Sequence, residues 1–130
     1  MKLEQQVVNL ELSKKLKKLG VKQESLWYWI KDGMLANWTL ETQEHWEVID
    51  GEWGMCRGLK KDKDVKYISA FTVAELGEML PVDILCSKHQ DGEGFFIRHR
   101  FEEVYFAEDT EANARAKMLI YLIENKLIKL

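Results

Sequence analysis

The clearest spacing in the chain that could serve chemistry is the Cys-x-x-His pair formed by Cys86 and His89. Thiolate and imidazole groups at this spacing can bind zinc, but a zinc site needs about four ligands. The other candidates, Cys56 and His99, lie far away in the sequence and in no second pair. A nucleophilic cysteine would also need a nearby base, which no local pattern supplies. We therefore predict no metal, no cofactor and no catalytic cysteine.

Two pairs of neighbouring carboxylates could share acid–base work, namely Glu102-Glu103 and Glu108-Asp109. Adjacent residues on a strand point to opposite faces, so the first pair has poor geometry for a shared site. The second pair precedes a predicted helix, where capping explains acidic residues. The glycines match neither a P-loop nor a dinucleotide-binding fingerprint. No residue therefore supports an enzymatic function, and we expect a non-catalytic protein.

All five tryptophans fall within residues 27–53. Such a cluster can form a stacking platform for single-stranded nucleic acid, sugars or a peptide. Most tryptophans are nonetheless largely buried packing groups, so we expect two or three of them in the core. Trp38 and Trp53 neighbour predicted turns, and we predict that they contribute to an interaction surface.

The N-terminal part of the chain is basic, with seven lysines against four acids among residues 1–32. Apolar residues at helical spacing predict a helix over about residues 4–19. The lysines lie largely off this apolar stripe and near the helix end, where the helix dipole favours cations. A solvated helix face explains them, and a nucleic-acid surface is the alternative. That alternative would use Lys14, Lys15, Lys17, Lys18 and Lys22.

Whether a second helix follows the first decides between a solvated helix face and a nucleic-acid surface. Residues 12–33 contain a Leu-Gly-Val turn followed by Leu26, Trp29 and Gly33. In this pattern they resemble excisionase-like and MerR-like helix-turn-helix segments, which implies a recognition helix in the major groove of DNA. Two aromatic residues, Trp27 and Tyr28, stand where base-contacting polar residues are expected.

The five bulky residues 26–30, Leu-Trp-Tyr-Trp-Ile, also suit a β-strand. In a helix they would cover nearly the whole circumference and leave no polar face for DNA. In a strand, Leu26, Tyr28 and Ile30 share one face and the two tryptophans share the other. Aromatic and β-branched residues favour strands. We therefore predict a central strand that is covered on both faces.

Two further helices have clear start signals. Thr72 and Glu75 form a capping box, and Pro81 stands just past the predicted helix end at Leu80. Thr110 or the preceding aspartate caps a final helix with an apolar stripe. The stripe consists of Ala112, Ala116, Leu119, Ile123 and Leu127. A helix this apolar is either packed on a sheet or shared with a second subunit.

Together these elements predict a single α+β domain over residues 1–130. It contains an N-terminal helix, a twisted antiparallel sheet, a short middle helix and a long C-terminal helix packed on the sheet. We predict strands near residues 37–41, 45–49, 52–56, 66–70, 82–87, 94–100 and 103–107. The alternating Lys and Asp residues of 60–66 predict a solvated loop.

The composition of the chain limits its expected partners and cellular compartment. The net charge of −3 gives no general attraction to nucleic acid or an anionic membrane. The sequence contains no apolar run near 18 residues, and its N-terminus lacks the pattern of a signal peptide. Two cysteines are too few for a disulfide framework. We therefore predict a cytoplasmic protein that does not interact with membranes.

Three segments carry a resemblance along the whole chain: LELSKKLKKLGVKQESLWYW, AFTVAELGEMLP and TEANARAKMLIYLIENKLI. In these the chain resembles small uncharacterised proteins carried by bacteria and their phages or prophages. The resemblance implies a bacterial or phage-associated origin and transfers no functional residue. We predict an accessory protein that binds an unidentified protein partner, with a homodimer expected. The alternative is nucleic-acid binding through the Lys-rich helix.

Overall fold

Four helices and eight strands follow one another in the part of the chain that the structure describes. The computed structural model describes residues 2–32, 37–42, 45–49, 51–56, 65–88 and 94–130, with the backbone alone described at 32, 45–49 and 53–56. The helices are α1 (Leu3–Gln6), α2 (Leu10–Lys18), α3 (Val73–Met79) and α4 (Glu111–Glu124). The strands are β1 (Trp27–Asp32), β2 (Thr39–Thr42), β3 (His45–Ile49), β4 (Glu52–Cys56), β5 (Val65–Ala70), β6 (Ile84–Lys88), β7 (Phe95–His99) and β8 (Tyr105–Glu108).

These strands pair antiparallel in three groups, with the orders β2-β1-β5, β3-β4 and β6-β7-β8. The predicted α+β class is confirmed, but the single predicted sheet is wrong for the described residues. The middle helix α3 connects β5 of one sheet to β6 of another, so the strands on its two sides do not pair. The predicted solvated loop lies almost wholly outside the described residues.

The aromatic segment at residues 26–30 forms most of β1, the central strand of a three-stranded sheet. β1 pairs with β2 on one side and β5 on the other, and Trp29 stands opposite Leu40 and Ile68. Tyr28 is only 2% exposed, as the strand prediction requires. Residues 21–26 are not helical, so the second helix of a helix-turn-helix does not form. Leu26 precedes the strand and is 67% exposed, so its predicted place in the core is wrong.

The predicted N-terminal helix is interrupted between α1 and α2. Val7 forms a β-bridge with Thr72, and Val7 and Val8 are both fully buried. β-branched residues suit this extended backbone. Asn9 then caps α2 by accepting a hydrogen bond of 2.9 Å from the backbone N–H of Leu12. Burial of two valines in an extended segment therefore outweighs the continuous helical pattern.

The predicted capping box at α3 is confirmed. The Thr72 hydroxyl accepts from the backbone N–H of Glu75 at 3.3 Å, and the Glu75 carboxylate accepts from the backbone N–H of Thr72 at 2.9 Å. The helix ends before Pro81, and Leu76 on its inner face is fully buried. Its start and stop are thus fixed by local chemistry.

Helix α4 supplies much of the core, as its apolar sequence predicts. It contacts β7, β8 and all three other helices. Thr110 caps it by accepting from the backbone N–H of Asn113 at 3.2 Å. Its buried residues are Ala112, Ala114, Ala116, Met118, Leu119, Ile120 and Leu122. Because its own chain covers this apolar surface, α4 does not need a second subunit to bury it.

Candidate functional site

Cys86 lies in β6 beside helix α4, where its environment suppresses nucleophilic chemistry. Burial raises the pKa of the Cys86 thiol, and the negative charge and hydrogen bond of Glu111 raise it further, while Arg115 opposes them. Arg115 is itself paired with Glu111 at 2.9 Å. The thiolate is the reactive form of cysteine, so Cys86 is poorly suited to act as a nucleophile.

This environment predicts slow modification of Cys86. In a Cys56→Ser variant, we expect Cys86 to react with a disulfide reagent several-fold more slowly than the cysteine of an unfolded peptide, because a raised pKa leaves less thiolate. Glu111→Gln should accelerate the reaction, since it removes the charge that disfavours the thiolate and frees Arg115. Glu124→Gln serves as the control on the same helix. Equal rates for all three proteins would contradict this assignment.

The described residues also hold no complete metal site. Within them, no group of three or more His, Cys, Asp and Glu residues could bind a metal ion. His89, the second member of the Cys-x-x-His pair, lies outside the described residues. His99 shapes the turn between β7 and β8, since its Nδ1 accepts from the backbone N–H groups of Phe101 at 3.1 Å and Glu102 at 3.2 Å.

The two pairs of neighbouring carboxylates lie in environments that do not suit a shared acid–base site. Glu102 and Glu103 are exposed in the β7–β8 turn. Glu108 forms an ion pair with Lys117, whereas Asp109 is exposed before helix α4. Neither pair therefore forms a buried site with two converging carboxylates.

A cavity of about 310 Å³ lies where α1 and the starts of α3 and α4 meet. Thr72 and Thr110 line it, but both side chains already accept the capping hydrogen bonds of their helices. Glu111, another lining residue, is paired with Arg115. Capping and ion pairing explain these groups without a ligand.

Two of the five lysines proposed for nucleic-acid contacts pair with acidic side chains. Lys15 pairs with Glu124 at 3.2 Å, and Lys22 pairs with Glu24 at 3.3 Å. Lys18 is exposed. Lys15 and Lys22 are therefore paired locally, whereas Lys18 is directed to solvent.

The other two lysines, Lys14 and Lys17, reach the β2-β1-β5 sheet. The Lys14 ammonium lies 5.5 Å from the centroid of the Trp38 ring, within the range of a cation–π contact. Lys17 Nζ donates a 2.7 Å hydrogen bond to the backbone carbonyl of Tyr67. The structure thus brings Trp38 together with part of the Lys-rich helix. Trp53 lies in β4, and only its backbone is described.

Between α2 and β5 lies an open groove of about 500 Å³, the α2–β5 groove. Its lining residues are Lys17, Gln23, Trp38, Val65, Lys66, Tyr67 and Ile68. The charged residues among them are lysines only, although the whole chain has a net charge of −3. Lys66 and Tyr67 were not predicted as site residues, because nothing in the sequence near β5 indicates that α2 packs beside it.

The β6-β7-β8 sheet has one face toward α4 and a second face that carries exposed apolar residues, the outer sheet face. The outer sheet face consists of Leu85, Ser87, Phe96, Arg98, Tyr105 and Ala107. Leu85 is 44% exposed and Tyr105 is 66% exposed. The Phe96 and Tyr105 rings stack with centroids 5.1 Å apart.

Sequence reasoning missed the outer sheet face, although a signal was present. β6 and β7 alternate large apolar residues onto both faces: Cys86 and Ile97 face α4, while Leu85 and Phe96 do not. One helix can cover only one face of a sheet. A strand that is apolar on both faces, in a sheet with one covering helix, therefore indicates an uncovered apolar surface.

Comparisons with known proteins add no further assignment: no protein-family model, curated protein or solved structure matches this chain. The described helices include none with the length and apolar character needed to span a membrane.

Proposed function

We propose that this protein is a non-catalytic interaction protein that forms a homodimer through the outer sheet face. The exposed Leu85 and Tyr105 on that face, with the half-buried Phe96 stacked against Tyr105, are the observation that carries the proposal. Contiguous exposed apolar residues mark interaction sites on soluble domains. Aromatic residues and arginine are also enriched at the centres of protein interfaces, and this face presents Phe96, Tyr105 and Arg98.

A second copy of the chain is the partner that suits the charges around this face. Arg98 and Arg100 are exposed beside Glu102 and Glu103 in the following turn. A twofold interface uses the same patch on both subunits, so it needs both signs of charge within that patch. A partner of one dominant charge would leave half of these groups unpaired.

The broader biological setting is part of the same proposal. We place the protein in the cytoplasm as an accessory protein of a bacterium or its phage, on the basis of its sequence resemblance and its two cysteines. The predicted contribution of Trp38 and Trp53 to a protein interface stays a prediction.

Measurement of the mass in solution tests the proposed dimer. We expect light scattering to give twice the chain mass of 15.3 kDa at high concentration and a decrease toward 15.3 kDa on dilution. Leu85→Glu should shift the equilibrium to monomer, because it places a charge in the desolvated centre of the interface.

A matched control is available at the C-terminus. Leu127 is 46% exposed, close to the 44% of Leu85, and lies outside the outer sheet face. Leu127→Glu should leave the dimer intact, and circular dichroism should show both variants folded. A mass of 15.3 kDa at every concentration would overturn the proposal, as would equal loss of dimer in the two variants.

A further inference from the structure

The α2–β5 groove combines aromatic and basic side chains in a way that the proposed dimer does not use. It shares no residue with the outer sheet face. We propose that this groove binds an aromatic base with attached phosphate, the chemistry shared by free nucleotides and single-stranded nucleic acid. The inference is independent of the proposed function.

The aromatic component is Trp38, which is half-buried at the groove and therefore held in place while part of its ring stays accessible. Tyr67 is a second half-buried aromatic residue of the lining. Every base has a flat π-face, so aromatic side chains in a basic groove bind single strands with little sequence preference. Trp38, with the Lys14 ammonium 5.5 Å from its ring centroid, combines an aromatic ring with a positive charge.

The phosphate component is a set of three lysines. Lys17 donates one hydrogen bond to the Tyr67 carbonyl, and this bond holds its ammonium at the groove. The other two of its three N–H donors can then bind a phosphate. Lys66 is exposed on the opposite wall, and Lys14 lies at Trp38. Across the described parts of the chain, Lys14 and Lys17 form no ion pair, whereas Lys15 and Lys22 do. Of the α2 lysines without an ion pair among the described residues, Lys14 and Lys17 lie at the groove, and Lys18 is exposed to solvent.

The groove walls are also fixed before a ligand arrives. Gln23 bridges the segment after α2 to β5: its Oε1 accepts from the backbone N–H of Ser69 at 2.8 Å, and its Nε2 donates to the Val21 carbonyl at 2.9 Å. The volume of about 500 Å³ falls within the range of small-ligand sites. A preformed site loses less entropy on binding, which favours affinity for a ligand as small as one nucleotide.

Fluorescence anisotropy with a labelled oligothymidylate tests the inference. We expect a Kd of about 10⁻⁴–10⁻⁶ M at physiological salt, and the affinity should fall about sevenfold to twentyfold between about 50 and 200 mM salt as two or three phosphate contacts are screened. Lys17→Glu and Trp38→Ala should each weaken binding about tenfold. Lys66→Glu, at an exposed position on the opposite wall, should do the same without touching the Lys17–Tyr67 hydrogen bond.

Lys22→Glu is the matched control, because it makes the same change in net charge outside the groove. It should leave the affinity within about twofold. Equal weakening by Lys22→Glu and Lys66→Glu, tighter binding of duplex than of single strand, or no binding at low salt would overturn the inference.

Competition by adenosine monophosphate at a comparable concentration would identify a free nucleotide as the ligand, and competition only by oligonucleotide would identify single strands. None of the groove variants should change the mass in solution, so failure here is distinct from failure of the dimer.

Discussion

Tyr28→Ala is expected to lower the free energy of unfolding by about 3–5 kcal/mol, the range for removing a buried aromatic side chain. Tyr28 is 2% exposed and lies in the central strand β1, which is paired on both sides. Its truncation removes packing that neighbouring strands cannot restore by collapsing, because their backbones are fixed by the ladder. Urea denaturation followed by circular dichroism measures the loss.

Two further substitutions in the same segment separate the contribution of the Tyr28 ring from that of its hydroxyl and from that of an exposed neighbour. Tyr28→Phe keeps the ring but removes the hydroxyl that accepts from the buried Ser25 N–H at 3.2 Å, so it should cost about 1–3 kcal/mol. Leu26→Ala should stay within about 0.5 kcal/mol, since Leu26 is largely exposed. If Tyr28→Ala proved as mild as Leu26→Ala, the segment would not be a buried strand.

The second large effect is expected at Gly94, immediately before β7. Its φ of +81° is unfavourable for other residues, and an added Cβ would lie 2.9 Å from the backbone oxygen of Glu108. That oxygen belongs to β8, which pairs with β7, so it cannot move without disturbing the sheet. We expect Gly94→Ala to lower the free energy of unfolding by more than about 2 kcal/mol, because a steric clash adds to the backbone cost of about 1–2 kcal/mol.

Gly51 provides a matched comparison in the same denaturation experiment. Its φ of +83° is almost identical, yet a Cβ there would meet no atom of the described residues within 4 Å. Gly51→Ala should therefore show only the backbone cost of about 1–2 kcal/mol. The difference between the two variants measures the contact with Glu108, and equal losses would show that the close approach to β8 does not exist.

Local sequence predicted several elements well because the signals lie within a few residues of each other. The Thr72–Glu75 capping box forms as predicted, and the strand predicted over residues 26–30 forms as Trp27–Asp32. The N-terminal helix failed as a single element because the burial of Val7 and Val8 depends on partners more than 60 residues away, beside Thr72. A helical pattern carries no information about such a distant contact.

The candidate surfaces were less predictable than the elements. The sequence predicts Trp38 at a protein interface and Lys14 at a nucleic-acid surface, whereas the structure places the two side chains in contact. Lys66 and Tyr67 enter the same groove only because β5 pairs with β1 and lies beside α2. The outer sheet face exists because β6, β7 and β8 form one sheet that α4 covers on one side only.

The sequence by itself determined the α+β class, the capped ends of α3, the strand at Trp27–Asp32 and the apolar character of α4. These depend on backbone propensity, capping and periodicity, which act over one or two turns of chain. The tertiary structure alone decided that the strands divide into separate sheets and that Trp38 meets Lys14. Strand partners and helix placement depend on contacts between residues far apart in sequence, and the free energy of those contacts has no counterpart in any local pattern.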